Sequence, residues 1–243
     1  MNGLQLTNPI TTLDKIGSQT GIVYYIPAWN TSKIDPTTGF VNLMFGLKYE
    51  SIEKTKDIIS KIKKISYNND ENYYEFDIDF KDFNPKYIDT KTSWTICTYG
   101  SRIKTFRDEK MSNQWNSKEV DLTNEWKELF EKYNITEDYL KQSKERTETD
   151  FFKQFIYLLK LTLQMRNSIP NDKTDYMISP VKNKKGKVFD SREGINALPK
   201  DADANGAYNI ARKGLMLVER IKEDTEKINY KISNEEYLKF VQK

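Results

Sequence analysis

Apolar positions in this 243-residue chain recur with two different periods, and the change of period marks its elements. Around 124–133, Trp126, Leu129, Phe130 and Tyr133 fall at i, i+3, i+4 and i+7, a single helical stripe. From about 150 to 165, Phe151, Phe152, Phe155, Ile156, Leu158, Leu159, Leu161 and Leu163 cover most of a helix circumference, which predicts a buried helix. It is expected to run into Gln164-Met-Arg-Asn-Ser168, with Arg166 at its C-terminus and Pro170 enforcing the stop. Ile52, Ile58, Ile59, Ile62 and Ile65 among lysines predict another helix over 52–65. The period then becomes two: Tyr74, Phe76, Ile78 and Phe80 alternate with Glu75, Asp77 and Asp79, a hairpin strand with one solvated face. Trp94–Thr98 and Asp175–Val181 read as further strands, the latter turning through the basic Lys182–Lys187 segment so that Val188–Arg192 pairs back.

The rest is read from punctuation and local signals. Thr11–Gly17 predicts a short helix closed by Gly17, and Gly21–Ile26 a strand buried on both faces, of the kind often found in parallel sheets. Thr31–Gly39 carries turn chemistry around Pro36 and Gly39, and the polar 137–150 segment reads as a loop. Ser233 and Glu236 form a capping box, with Ile232 and Tyr237 as its hydrophobic staple. The expected class is α/β, α+β overall.

Candidate chemistry concentrates in Asp201-Ala-Asp-Ala-Asn-Gly-Ala-Tyr208, which leads into an amphipathic stretch with Ile210, Leu215, Met216 and Leu217. Small residues allow close backbone approach, and a carboxylate at such a crowded helix start suits a hard divalent cation. Equally, Asp201 and Asp203 serve as helix caps, since Asp is a preferred N-cap residue. Arg166 has two readings as well. A cation is favoured at a helix C-terminus, and a rigidly aimed guanidinium grips a phosphate. Asp175, nine residues on, also has two readings: a salt-bridge partner that orients Arg166, or a surface turn residue.

Composition narrows the chemistry. Histidine is absent, which excludes Ser-His-Asp and Cys-His nucleophiles and His-ligated zinc. The single cysteine, Cys97, lies in an apolar run and forms no internal disulfide. Carboxylates and metal remain, helped by Lys and Arg. The net charge of +3 permits a polyanionic partner without requiring one. Neither a membrane-spanning run nor a secretory signal is found, so a cytoplasmic protein is expected.

Beyond its spacing, Asp201–Tyr208 resembles the third motif of the RuvC-like nuclease domain in type V-A CRISPR RNA-guided DNA endonucleases. Gln5-Leu-Thr7, Gln19–Pro27, Thr31–Phe40, Leu163–Ser168, Ile178–Val181 and Phe189–Arg192 also resemble that family, in its order and across essentially the whole chain. The resemblance implies that 1–27 end the second segment of a partial RNase H-like layer. Residues 28–198 would be the inserted Nuc domain, and 199–243 the third RuvC-like segment. It further implies that Asp203 is the catalytic, metal-binding aspartate and Arg166 the Nuc arginine that supports cleavage. Ser168 and Asp175 would lie on the strand path.

The implied reaction is Mg²⁺-dependent hydrolysis of DNA at two metals about 3.5–4 Å apart. Its partners would be a guide RNA and target DNA in a prokaryotic antiviral defence. The family's effectors are several times longer, and nothing here matches the catalytic Asp and Glu of the first two segments. This chain by itself is therefore expected not to cut DNA. It reads as the C-terminal piece of a broken gene, or as half of a split effector with a separate N-terminal portion. The helix at 203–223 and Ile22–Ile26 are expected to lack packing partners. Two other classes stay open: a non-catalytic module binding single-stranded nucleic acid through Arg102, Arg107, Arg166 and the Lys182–Lys187 turn, and a carboxylate metalloenzyme of unrelated type.

Overall fold

A computed structural model describes residues 5–7, 22–24, 26–44, 46–87, 90–108, 114–169, 173–223 and 232–242. The class is α+β, with helices packed on antiparallel sheets. Strand β1 (Gln5–Thr7) pairs antiparallel with β2 (Ile22–Tyr24), where a parallel neighbour was the sequence expectation for the second. The expected helix at 11–17 lies outside the described residues.

Helix α1 (Ile52–Ser60) starts at Ser51, whose side chain accepts from the backbone N–H of Lys54 at 3.2 Å. It stops five residues earlier than the isoleucine spacing predicts. Ile62 and Ile65 belong instead to β3 (Ile62–Asn68), which pairs with β4 (Tyr73–Asp79). A register shift between Ile62 and Lys64 inserts a bulge, so two residues three apart both face the core. The bulge thus imitates helical spacing in a strand. Strand β5 (Ser93–Cys97) completes this sheet in the order β3-β4-β5.

The row of carboxylates on β4 binds neighbouring side chains. Glu75 accepts from Asn68 at 3.0 Å and Asp77 from Thr95 at 2.6 Å. Asp79 is buried and accepts from Ser93 at 2.9 Å and Lys63 at 3.2 Å. Its desolvation, which would raise its pKa, is outweighed by bonds from Thr92, Ser93 and Lys81, which hold it below the usual carboxylate range.

Strands β6 (Ser101–Asp108) and β7 (Gln114–Asp121) form a long two-stranded ribbon. Helix α2 (Leu122–Lys132) follows, capped by Asp121. Next comes α3 (Tyr139–Glu145), a short helix in the segment expected to be a loop. Its polarity misled because Tyr139 and Leu140 pack against the core and the small Ser143 is buried, while Lys141 and Glu145 stay exposed. Helix α4 (Thr149–Thr162) is buried as predicted. Trp126 of α2 joins these parts: its ring meets Phe76, Phe130 and Phe155 at 4.8–5.4 Å, and its indole N–H donates to Thr162 Oγ1 at 2.9 Å.

Helix α4 ends at Thr162, well before Pro170. The Thr162 hydroxyl turns back to the carbonyl of Leu158 at 2.7 Å, and Leu163 closes the helix. Strand β8 (Arg166–Ile169) begins almost at once, followed by β9 (Thr174–Lys182) and β10 (Val188–Asp190) in a sheet ordered β10-β9-β8. Cys97 of β5 links the two sheets by donating to the carbonyl of Pro180 at 3.2 Å. Helices α5 (Ala202–Glu223) and α6 (Asn234–Val241) close the chain. Both bonds of the Ser233–Glu236 capping box are made, and Ile232 and Tyr237 are buried. None of the described helices is long and apolar enough to cross a membrane.

Candidate functional site

Arg166 opens β8 rather than ending α4, so the macrodipole does not explain its position. Backbone pairing does. Arg166 lies opposite Met177, and Ser168, two residues on and on the same face, lies opposite Asp175. From there Asp175 reaches diagonally across the pair, its Oδ2 3.2 Å from Arg166 Nη2. The other Asp175 oxygen, Oδ1, is buried and accepts no hydrogen bond among the described residues. Ser168 is exposed beside them.

Asp203 arrives from α5. The cap is made by Asp201, whose carboxylate accepts from the backbone N–H of Ala204 at 2.7 Å. That leaves Asp203 free in the first turn, 84% exposed, with Oδ1 3.5 Å from Arg166 Nη1. The structure therefore brings together Arg166, Asp175, Ser168 and Asp203. An ion pair this open contributes little to stability, roughly 0–1 kcal/mol. It is easily exchanged for another anion.

Packing of α5 holds Asp203 there. The helix lies mainly on the single turn of 3-10 helix at Thr31–Lys33 and also touches β9. Its buried stripe is Ala202, Asn205, Asn209, Lys213 and Leu217, whereas Ile210, Leu215 and Val218 are exposed. Asn205 Nδ2 donates to the Ile34 carbonyl at 2.9 Å, and Asn209 Nδ2 to that of Thr31 at 2.9 Å. Asn209 Oδ1 accepts from the Tyr237 hydroxyl at 2.7 Å. The helix comes close to the turn at Gly206, where a Cβ would meet Ser32 Cβ at 3.7 Å, an ordinary van der Waals contact. The expectation that α5 lacks partners is thus corrected for one face, with polar side chains making the contact.

Two buried cations lie outside this cluster. Lys213 Nζ donates to the Pro27 carbonyl at 2.7 Å and sits 4.8 Å from the Tyr237 ring centroid; burial pulls its pKa down to about 8. Arg102, expected at a nucleic-acid surface, is fully buried, so that expectation is corrected. Its Nη1 donates to the carbonyls of Tyr99 at 3.2 Å and Ser101 at 2.9 Å, and desolvation lowers its pKa to about 10. The alternation of β6 turns Arg102 inward, which its charge did not reveal.

Beside Arg166 is a cavity of about 450 Å³. Lys33, Lys160 and Arg166 make its lining basic, Ser168 adds a hydroxyl, and Ile103 and Thr105 of β6 form part of its wall. No carboxylate among the described residues lines it. Lys33 and Lys160 were missed by sequence reading, because isolated surface lysines carry no local signal. As for metals, the described residues contain no group of three or more Cys, Asp or Glu side chains able to hold an ion. Asp203 alone does not fit a two-metal centre.

Among known protein families, the one described as NUC, a nuclease domain, matches residues 34–193. The match includes β3–β10 and Arg166, Ser168 and Asp175, and stops before Asp203.

Proposed function

The chain belongs to the NUC nuclease-domain family, and from this premise we propose that it is the strand-loading and cleavage-supporting part of a type V-A CRISPR RNA-guided DNA endonuclease. The carrying observation is the 3.5 Å approach of Arg166 on β8 to Asp203 on α5, two residues that separate motifs of that family implicate. The ordered motifs on either side support the same reading. In this proposal residues 28–198 are the Nuc-like insertion, flanked by two RuvC-like segments, and the substrate is DNA opened by guide-RNA pairing in antiviral defence.

The chain's own residues have defined tasks. Arg166 leaves Asp203 and points its forked donors at the nonbridging oxygens of the scissile phosphate, offsetting charge that grows in the transition state. Asp175 keeps the guanidinium aligned. Ser168 donates to a flanking phosphate. Asp203 would hold Mg²⁺ only together with carboxylates supplied by a separate N-terminal portion, where the ion would activate the attacking water, so this chain by itself should not cut.

The test is cleavage of single-stranded DNA with Mg²⁺, by this chain alone and together with a separately expressed N-terminal portion of a related effector, guide RNA and target. Cleavage is expected only in the mixture, lost with Asp203→Ala and reduced about 10²-fold or more with Arg166→Ala, the size of effect seen when a transition-state donor is removed. Cleavage in the mixture that is indifferent to both substitutions would refute the proposal. A non-catalytic module for single-stranded nucleic acid is the second reading, favoured by the carboxylate-free basic cavity. It predicts salt-dependent binding without metal and no cleavage in any mixture.

A further inference from the structure

The cavity beside Arg166 continues onto an exposed aromatic. Ile103 and Thr105, which line it, are on one face of the β6–β7 ribbon. Directly paired residues share a face, so Thr105↔Ser117 is followed on that face by Arg107↔Trp115. Two residues along a strand advance about 7 Å, which puts this pair one step beyond the cavity. Trp115 is 70% exposed, and the Arg107 guanidinium lies 5.2 Å from its ring centroid. The other tryptophans differ: Trp94 and Trp126 are buried and Trp29 is half-buried. Arg107, Lys33 and Lys160 form no salt bridge among the described residues, unlike Lys104 on the opposite face, which pairs with Glu125 at 2.5 Å.

We propose that these groups form a track for single-stranded DNA: one nucleotide occupies the cavity with its phosphates on Lys33 and Lys160, and the next base stacks on Trp115. The track rests on the reading of Arg166 as the phosphate-gripping residue, and it deepens that reading by naming what flanks the scissile bond. A flat, solvent-facing indole backed by a guanidinium suits an unpaired base of any identity. The lysines supply the sequence-independent charge term. A duplex keeps its bases stacked inside and cannot use Trp115.

The test uses the full chain and a labelled thymidine 12-mer, read by anisotropy without metal at several salt concentrations. Trp115→Ala should weaken binding about 5- to 100-fold, the range for loss of one stacked base, with the salt slope unchanged. Lys33→Gln and Lys160→Gln should each reduce that slope by about 0.7. Binding should quench tryptophan fluorescence in the parent, and Trp115→Phe should remove the quench while retaining most of the affinity. Affinity within twofold for Trp115→Ala, an unchanged slope in both lysine variants, or equal affinity for a duplex would overturn the track. These outcomes are separate from the cleavage test. If cleavage in the mixture is indifferent to both Arg166→Ala and Asp203→Ala while Trp115 and the lysines govern binding, the track stands and the nuclease reading falls. If the track variants bind like the parent while Asp203→Ala abolishes cleavage, the track falls and the reading stands.

Discussion

Replacing Asn209 by alanine should undock α5 at a cost that can be worked out bond by bond. Asn209 is fully buried. Its loss removes the 2.9 Å bond to the Thr31 carbonyl, the 3.1 Å bond to Asn205 Oδ1 and the 2.7 Å bond from the Tyr237 hydroxyl. Asn205 still donates to the Thr31 carbonyl at 3.3 Å, so that acceptor is only weakened. The Tyr237 hydroxyl is left buried without an acceptor. An orphaned buried polar group costs about 1–3 kcal/mol, and with the weaker losses we expect about 3 kcal/mol in total. Tyr237→Phe removes the hydroxyl itself and should cost only about 1 kcal/mol. The double variant should therefore be about 1–2 kcal/mol more stable than the sum of the two losses predicts. Urea unfolding followed by tryptophan fluorescence measures all four species. Asn209→Asp should do worse than alanine, because it turns an oxygen towards the Thr31 and Ile34 carbonyls. A loss below about 1 kcal/mol for Asn209→Ala, or additivity within about 0.5 kcal/mol, would refute the network as the reason α5 docks.

Lys213 sets a pH dependence. Its pKa is lowered to about 8 in the folded chain and returns to about 10.4 on unfolding. Between those values the unfolded chain binds more protons, so stability should rise with pH across about 8–10.4, by at most about 3 kcal/mol. Lys213→Met should lose that rise, and unfolding midpoints that shift in parallel for parent and variant from pH 7 to 10 would contradict the burial argument. Burial also pushes the Cys97 thiol up to about 11. The native chain should therefore resist a thiol-alkylating reagent at pH 8 and react promptly in urea, and mass spectrometry showing rapid native labelling would put Cys97 outside the core.

Where one residue type served one purpose, the sequence was legible. The stripe of α2, the apolar sleeve of α4, the alternation of β4 and the Ser233–Glu236 cap all follow from side-chain period or local hydrogen bonding. It failed where tertiary contact reversed the sign of a residue. Asn205 and Asn209 are buried on α5 because the turn at 31–34 presents carbonyls that need donors, and Lys213 because it donates to the Pro27 carbonyl, while Leu215 and Val218 face solvent. The same holds for Ile62 and Ile65, whose spacing came from a bulge, and for Arg102, a charge at an inward position of a strand. Such positions report a neighbour that no local pattern contains.

The candidate site depends on that neighbour twice. Asp203 is held by α5, α5 by the carbonyls of Thr31 and Ile34, and Lys33 of the same turn stands on the rim of the cavity. Arg166 is fixed separately by β8–β9 pairing and by Asp175. Packing remote from the charges therefore sets how Arg166 and Asp203 meet, and their exposed ion pair adds little. That division suits a site which must exchange one anion for another. Under the proposed function, rigid backbones aim the donors, and the weak contact between Arg166 and Asp203 would open at small cost to a phosphate. It also explains why spacing alone could not join Arg166 to Asp203: their proximity is a property of the 31–34 turn, whose own residues carry no catalytic signature.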